Sequence, residues 1–322
     1  MKRSLTFLTA LLALGVLSGC QNQPDPSSEL PTSNESETSL PTEITSEEVE
    51  VPQSPNRVFT PAPKYTGNYW DEIVNSELQG KDLANALYEF KLSRFTPIDY
   101  NTCVQALELM DVDPDDPYKV LSIYDLNSVQ FKKRYDGDNF TPREVYFDRE
   151  HAYPQSKLAD GNESLRASGT RKNISTDVAN LFFCDGNLNQ AKSNYSYWGL
   201  SMKEQYYKFA IRNKFGTLTD NFVYNGMFSP TPMVRGEIAR SQLYMLVMWP
   251  YEKLGYGCSL DENFNILTML QWNLEYPPTV ERDLQRQIGL EQYQNLRNPF
   301  IDHPELACRI WGEHDVNGRF CH

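Results

Sequence analysis

The chain changes character near residue 63, and that break fixes how much of it can build a core. From Gln21 to about Pro63 it is rich in Ser, Thr, Pro and Glu, with almost no aromatic residues and no hydrophobic periodicity, the composition of a disordered tether. Eight acids, from Asp25 to Glu50, face a single base, Arg57, so the stretch is expected to stay extended as a spacer. The remaining residues, 63–322, are rich in Tyr, Phe and Trp and long enough for one sizeable core, so one domain is expected there.

The first residues read as an export signal. Lys2 and Arg3 precede an apolar run from Leu5 to Leu17 that is too short for a comfortable membrane span, and the run ends in Leu17-Ser18-Gly19-Cys20. Small residues before a cysteine resemble a lipoprotein cleavage site. The expectation is a signal peptide over residues 1–19, with Cys20 as the lipid-bearing first residue of a tether over residues 20–62. Such an anchor places the protein in the cell envelope outside the cytoplasm, at an outer membrane or a cell surface.

Over residues 63–322, 27 Lys and Arg stand against 35 Asp and Glu, a net charge of −8. That balance argues against tight, nonspecific storage of nucleic acid. It leaves room for an enzyme with a local positive track. Five cysteines remain after Cys20, an odd number, and Cys308 with Cys321 form the expected pair because a bridge there closes a short loop. No paired Cys-x-x-Cys spacing suggests zinc.

The apolar spacing predicts helices over 69–92, 103–110, 237–249, 263–274 and 280–290. Short β-branched and aromatic runs, Tyr118 to Tyr124 and Val145 to Phe147, predict strands. Asp111 to Asp116 reads as a solvated turn, since it lacks the glycine and closing glutamate of a calcium loop. Residues 159–175 read as a polar loop and 297–305 as turn-rich. The fold class expected is α+β, mostly helical with a small β element in the middle.

Only four histidines occur, which excludes a histidine-rich metal cage. His151 follows Glu150 directly after the predicted strand, and Pro154 ends that strand. A neutral imidazole, with an ordinary pKa of about 6.5, can accept a proton from water at neutral pH. Neighbouring strand residues face opposite ways, so Glu150 and His151 can share a site only where the backbone bends. About forty residues later comes Asn187-Leu188-Asn189-Gln190-Ala191-Lys192-Ser193-Asn194. An asparagine carbonyl suits a hard divalent cation. On an ideal helix Asn189 and Asn194 lie about 140° apart, so Asn189 is taken as the ligand and Asn194 as a structural contact, although either can equally cap a helix. Between these segments, Arg171 offers a guanidinium fork for phosphate, or simply a solvated base.

Together these segments resemble the endonuclease I family of exported nucleases. The resemblance rests on Phe147-Asp148-Arg149-Glu150-His151-Ala152-Tyr153-Pro154, Arg171-Lys172-Asn173, Asp177-Val178-Ala179-Asn180-Leu181 and Asn189 to Asn194, with Gly236 to Arg240 and Arg297 to Glu305 following in the same order. It implies a ββα-metal (His-Me finger) element in a helical body and a sequence-nonspecific endonuclease leaving 5′-phosphate ends. His151 would be the general base and Arg171 the phosphate contact. Glu150 and Asn189 would hold one divalent metal, magnesium first, with calcium or manganese as alternatives. Asn180 and Asn194 would support them. The implied substrate is DNA, with RNA a second one, gripped by its backbone. Two departures bear on the surroundings of the site: Ala179 stands where the family often has histidine, and Phe183-Cys184 replaces a more usual polar-proline pair.

A reading from a different class is a noncatalytic surface lipoprotein that binds nucleic acid with a nuclease-like fold. A protease has no support, because neither His-Glu-x-x-His nor a nucleophile elbow occurs.

Overall fold

The computed structural model describes residues 49–134, 147–260 and 264–321. The expected signal segment, Cys20 and residues 21–48 of the tether lie outside the described residues.

The chain enters through α1 (Asp71–Val74), α2 (Gly80–Arg94) and α3 (Tyr100–Met110), which replace the predicted helical stretches over 69–92 and 103–110. In α3 the Asp99 carboxylate caps the first turn, accepting from Thr102 N at 2.8 Å. Cys103, Ala106, Leu107 and Met110 form its buried face, the i, i+3, i+4, i+7 stripe of an amphipathic helix. There follow β1 (Val112–Asp113), β2 (Asp116–Leu121) and β3 (Ser128–Gln130), a three-stranded antiparallel sheet. β4 (Phe147–His151), α4 (Gln155–Ala159), β5 (Leu181–Asp185) and α5 (Gly186–Lys192) come next, and β4 pairs with β5. β6 (Ser196–Tyr197), β7 (Ala210–Arg212), β8 (Leu218–Tyr224) and β9 (Met227–Ser229) form a four-stranded sheet in the order β6-β9-β8-β7. The periodicity reading did not foresee this sheet, whose two-to-seven-residue strands are too short to stand out.

The C-terminal body is helical: α6 (Arg235–Met248), α7 (Tyr251–Leu254), α8 (Ile266–Glu275), α9 (Gln285–Gln294), α10 (Pro299–Asp302) and α11 (Leu306–Trp311). Every residue of α6 is buried. The predicted helix over 280–290 starts instead with a π turn, Val280–Leu284, before α9. The fold class is α+β, as expected. Among the described residues no helix is long and apolar enough to cross a membrane.

Two expectations are corrected. Asp111 to Asp116 is no solvated turn: Asp111 is buried, accepting from Arg286 Nη1 at 2.7 Å, and Asp113 is buried against Arg57 at 2.9 Å. Buried carboxylates persist when a cation and hydrogen bonds compensate them. The stretch expected as tether also ends early, because residues from Val49 onward belong to the same compact unit as the domain. Gln53 bridges Thr219, Pro61 bridges Thr279, and the Thr60 hydroxyl donates to Glu281 at 2.7 Å. A polar composition conceals such a strap, since backbone pairing and ion pairs need no apolar side chains.

Candidate active site

The site is built on β4, β5 and α5, which follow a strand–strand–helix path. The register pairs Phe147 with Asp185, Asp148 with Cys184, Glu150 with Phe182 and His151 with Leu181. Helix α5 begins directly after β5, because Asp185 caps it, accepting from Asn187 N at 2.9 Å and Leu188 N at 3.2 Å. A Cβ on Gly186 would meet the Lys214 Nζ at 2.7 Å and the Asp148 Oδ2 at 3.3 Å.

The end of β4 is fixed by Asn180. Its backbone carbonyl accepts from Ala152 N at 3.0 Å, its Oδ1 accepts from Tyr153 N at 2.6 Å, and its Nδ2 donates to the Tyr153 carbonyl at 2.9 Å. The strand bends there, as a shared site for two adjacent residues requires. Glu150 and His151 are both buried and both line one cleft of about 430 Å³, together with Pro154, Gln155, Asn189 and Asn194.

His151 is held by a 2.8 Å contact from its Nε2 to the Ser175 carbonyl. A carbonyl only accepts, so Nε2 carries the hydrogen and the neutral ring leaves its lone pair on Nδ1. A 3₁₀ turn, Ile174–Thr176, brings that carbonyl into place, and Asn173 caps the turn by accepting from Ser175 N. Burial pushes the His151 pKa down to about 4, and the Ser175 carbonyl works against the shift. The imidazole is therefore neutral at neutral pH.

Glu150 Oε1 accepts from the Tyr124 hydroxyl at 2.8 Å and faces Lys192 Nζ at 3.4 Å. The Tyr124 hydroxyl also contacts that of Tyr197 at 2.7 Å. Burial raises the Glu150 carboxyl, while the Lys192 ammonium and the Tyr124 hydroxyl hold it down. Both contacts fall on Oε1, and Oε2 has no donor among the described residues. Asn189 Nδ2 donates to Asp148 Oδ2 at 3.1 Å. An ionised carboxylate only accepts, which fixes the amide orientation and leaves Asn189 Oδ1 without a donor among the described residues. Two hard oxygen atoms thus line the cleft beside His151. No cluster of three His, Cys, Asp or Glu residues that could hold a metal occurs among the described residues. The pair suits a cation that keeps much of its water shell and not one needing a complete protein cage.

The structure does not bring every expected residue here. Arg171 is exposed, does not line the cleft, and donates through Nη1 to the Glu163 carbonyl at 2.6 Å. Its loop is turned that way by Asn173, whose Nδ2 donates to the Ser164 and Arg166 carbonyls. Asn194 lies beyond α5, past Ser193 with its left-handed backbone (φ 48°), so the helical-wheel separation from Asn189 does not apply and both line the cleft. Arg240 is paired with Asp283, Arg297 with Asp302 and His303 with Glu305, and none of the three lines the cleft. Sequence reasoning missed Tyr124, Lys192, Tyr197 and Arg149. Lys192 sat inside a motif already singled out, and its place at the end of a helix, three positions after Asn189 and two before Asn194, was its one local signal.

This arrangement is that of a nuclease: the model of the family described as Endonuclease I matches residues 78–305, and the chain belongs to that family. It is 28% identical over 270 residues to the extracellular ribonuclease of Bacillus amyloliquefaciens, spanning 81% of this chain and 83% of that protein. It is 27% identical over 242 residues to the extracellular ribonuclease of Bacillus subtilis (strain 168), spanning 72% and 75%.

Proposed function

We propose that this nuclease is a divalent-metal-dependent, sequence-nonspecific endonuclease that hydrolyses phosphodiester bonds of DNA and RNA to 5′-phosphate ends. The observation that carries the reading is the His151 ring, tied through Nε2 to Ser175 with Nδ1 open, in the same cleft as the unpartnered oxygens of Glu150 and Asn189. His151 Nδ1 would take the proton of the attacking water, a contribution of roughly a hundred- to ten-thousandfold in rate. Glu150 Oε2 and Asn189 Oδ1 would hold the cation, which when bound would neutralise charge developing on the scissile phosphate and the departing 3′ oxygen. Lys192 and Tyr124 orient the Glu150 carboxylate from behind, and Asp148 orients the Asn189 amide. Arg171, the expected phosphate contact, stands outside this cleft with its guanidinium on the Glu163 carbonyl, and would have to leave that carbonyl to reach the phosphate.

RNA is included because both relatives are named ribonucleases. Their extracellular naming supports action outside the cytoplasm, and Cys20 would supply a lipid anchor there. Magnesium is the expected metal, with calcium or manganese able to replace it. The test is digestion of plasmid DNA and of RNA by the purified protein with magnesium, calcium, manganese or EDTA, beside His151→Ala. Metal-dependent cleavage at many positions, lost in the variant, is expected. Cleavage that survives EDTA or His151→Ala refutes the mechanism, and inactivity of the wild type with every metal favours the noncatalytic binding reading.

A further inference from the structure

We infer that Arg149 binds a backbone phosphate next to the scissile one, in a hollow that extends the catalytic cleft across β4; the inference rests on the nuclease reading above. This second hollow, of about 400 Å³, is lined by Tyr100, Val104, Phe147, Asp148 and Phe183, together with Arg149 and Asn189. The last two also line the catalytic cleft, so the two spaces adjoin at those side chains. A polynucleotide with one phosphate at Glu150 and Asn189 would therefore continue past Arg149.

The guanidinium is prepared for such a contact. It lies 3.4 Å from the centroid of the Tyr100 ring, and Nη1 donates to the Tyr100 carbonyl at 2.9 Å. Stacking holds the planar fork without consuming its remaining donors. Several buried or partly buried arginines elsewhere in the domain are neutralised by carboxylates, Arg240 by Asp283, Arg286 by Asp111 and Arg297 by Asp302, while Arg235 spends its fork on the carbonyls of Pro230, Gly199 and Leu200. Arg149 has no carboxylate at ion-pair distance among the described residues, and its Nε and Nη2 have no acceptor among them. The one acid lining the hollow, Asp148, accepts from Asn189. The phosphodiester oxygens are the acceptors that a held, unpaired guanidinium fork fits. In a domain with an acidic balance, Arg149 is a local cation at the edge of the cleft that attracts a polyanion.

The experiment measures binding, with chemistry removed. A short fluorescent single-stranded oligodeoxynucleotide is titrated with the full chain carrying His151→Ala, in calcium, over a range of salt concentrations. Arg149→Gln in that background should weaken binding about tenfold, the effect of one charge-assisted contact. It should also lower the slope of log affinity against log salt by about 0.7, one phosphate contact on a single strand. Arg149→Lys should keep the slope and lose part of the affinity. A merely structural role would lower the melting temperature and leave the slope unchanged. An unchanged slope in Arg149→Gln, or no binding by the His151→Ala chain, overturns the inference. Failure of the wild type to cleave, with these slopes as expected, would sink the catalytic reading and leave the Arg149 contact standing.

Discussion

Replacing Asn180 by alanine tests whether the bend at the end of β4 is what places His151. The side chain is fully buried and makes two hydrogen bonds to the backbone of Tyr153, itself 3% exposed. Asn180→Ala removes both of these buried hydrogen bonds, at roughly 1–2 kcal/mol each. The expected loss is about 3 kcal/mol, a large share of the roughly 5–15 kcal/mol that a domain usually has. Urea unfolding followed by tryptophan fluorescence reads this as a lower midpoint with an unchanged slope. With the clasp gone, the residues after His151 are released while Glu150 keeps Tyr124 and Lys192, so kcat should fall at least tenfold with KM little changed. Asn180→Asp keeps the acceptor for Tyr153 N–H but turns an oxygen toward the Tyr153 carbonyl, and should recover only part of both losses. Stability within about 1 kcal/mol of the wild type in Asn180→Ala would refute the reasoning.

Three further outcomes follow from the same geometry. The folded pKa of His151 is about 4, below the unfolded value of about 6.5, so between those values the folded state holds fewer protons and stability falls as pH falls, by up to about 3 kcal/mol. Acid titration of the unfolding free energy should therefore be shallower in His151→Gln, and equal curves would contradict the buried neutral ring. Reducing the Cys308–Cys321 bridge, whose cysteines are 13 positions apart, should cost about 3 kcal/mol in a thermal melt and spare cleavage, since neither residue lines the cleft. A chain lacking residues 49–62 leaves the buried Asp113 without Arg57 and should melt at a lower temperature by about 2 kcal/mol of stability; an unchanged melt would mean the strap contributes nothing.

The parts of this molecule legible in its sequence are those whose cause is local. The stripe of Cys103, Ala106, Leu107 and Met110 announces a helix, and Glu150-His151 ahead of Pro154, with Asn189 downstream, announces the strand end and the helix that face each other. The short loop between Cys308 and Cys321 announces the bridge, which forms. What stayed hidden depends on distant partners. Asp111 reads as solvated because Arg286, which buries it, lies 175 positions away. Tyr124 carries no mark of Glu150, 26 positions away, and Tyr197 none of Tyr124, 73 positions away. Arg149 reads as an ordinary neighbour of Glu150 until Tyr100 is placed beneath it. Arg171 is the right residue type in the right segment, and its sequence carries no mark of the carbonyl eight positions away on which its guanidinium rests.

The cysteines that take no part in the bridge have a consequence for how the chain reaches its oxidised form. Cys103, Cys184 and Cys258 are buried, and burial pushes the Cys103 thiol up to about 12 and the other two well above their ordinary value. A thiol attacks a disulfide only as the exposed thiolate. Once the core has closed, these three can neither scramble the Cys308–Cys321 bond nor be modified by soluble oxidants. The hazard is confined to the time before folding, when Cys103, Cys184 and Cys258 are in water with Cys308 and Cys321 and wrong pairings compete with the right one. Speed of collapse, and not any property of the finished bridge, then decides the yield of correctly paired protein. Alkylating the chain at successive times during refolding would show the three thiols disappearing together, ahead of bridge formation.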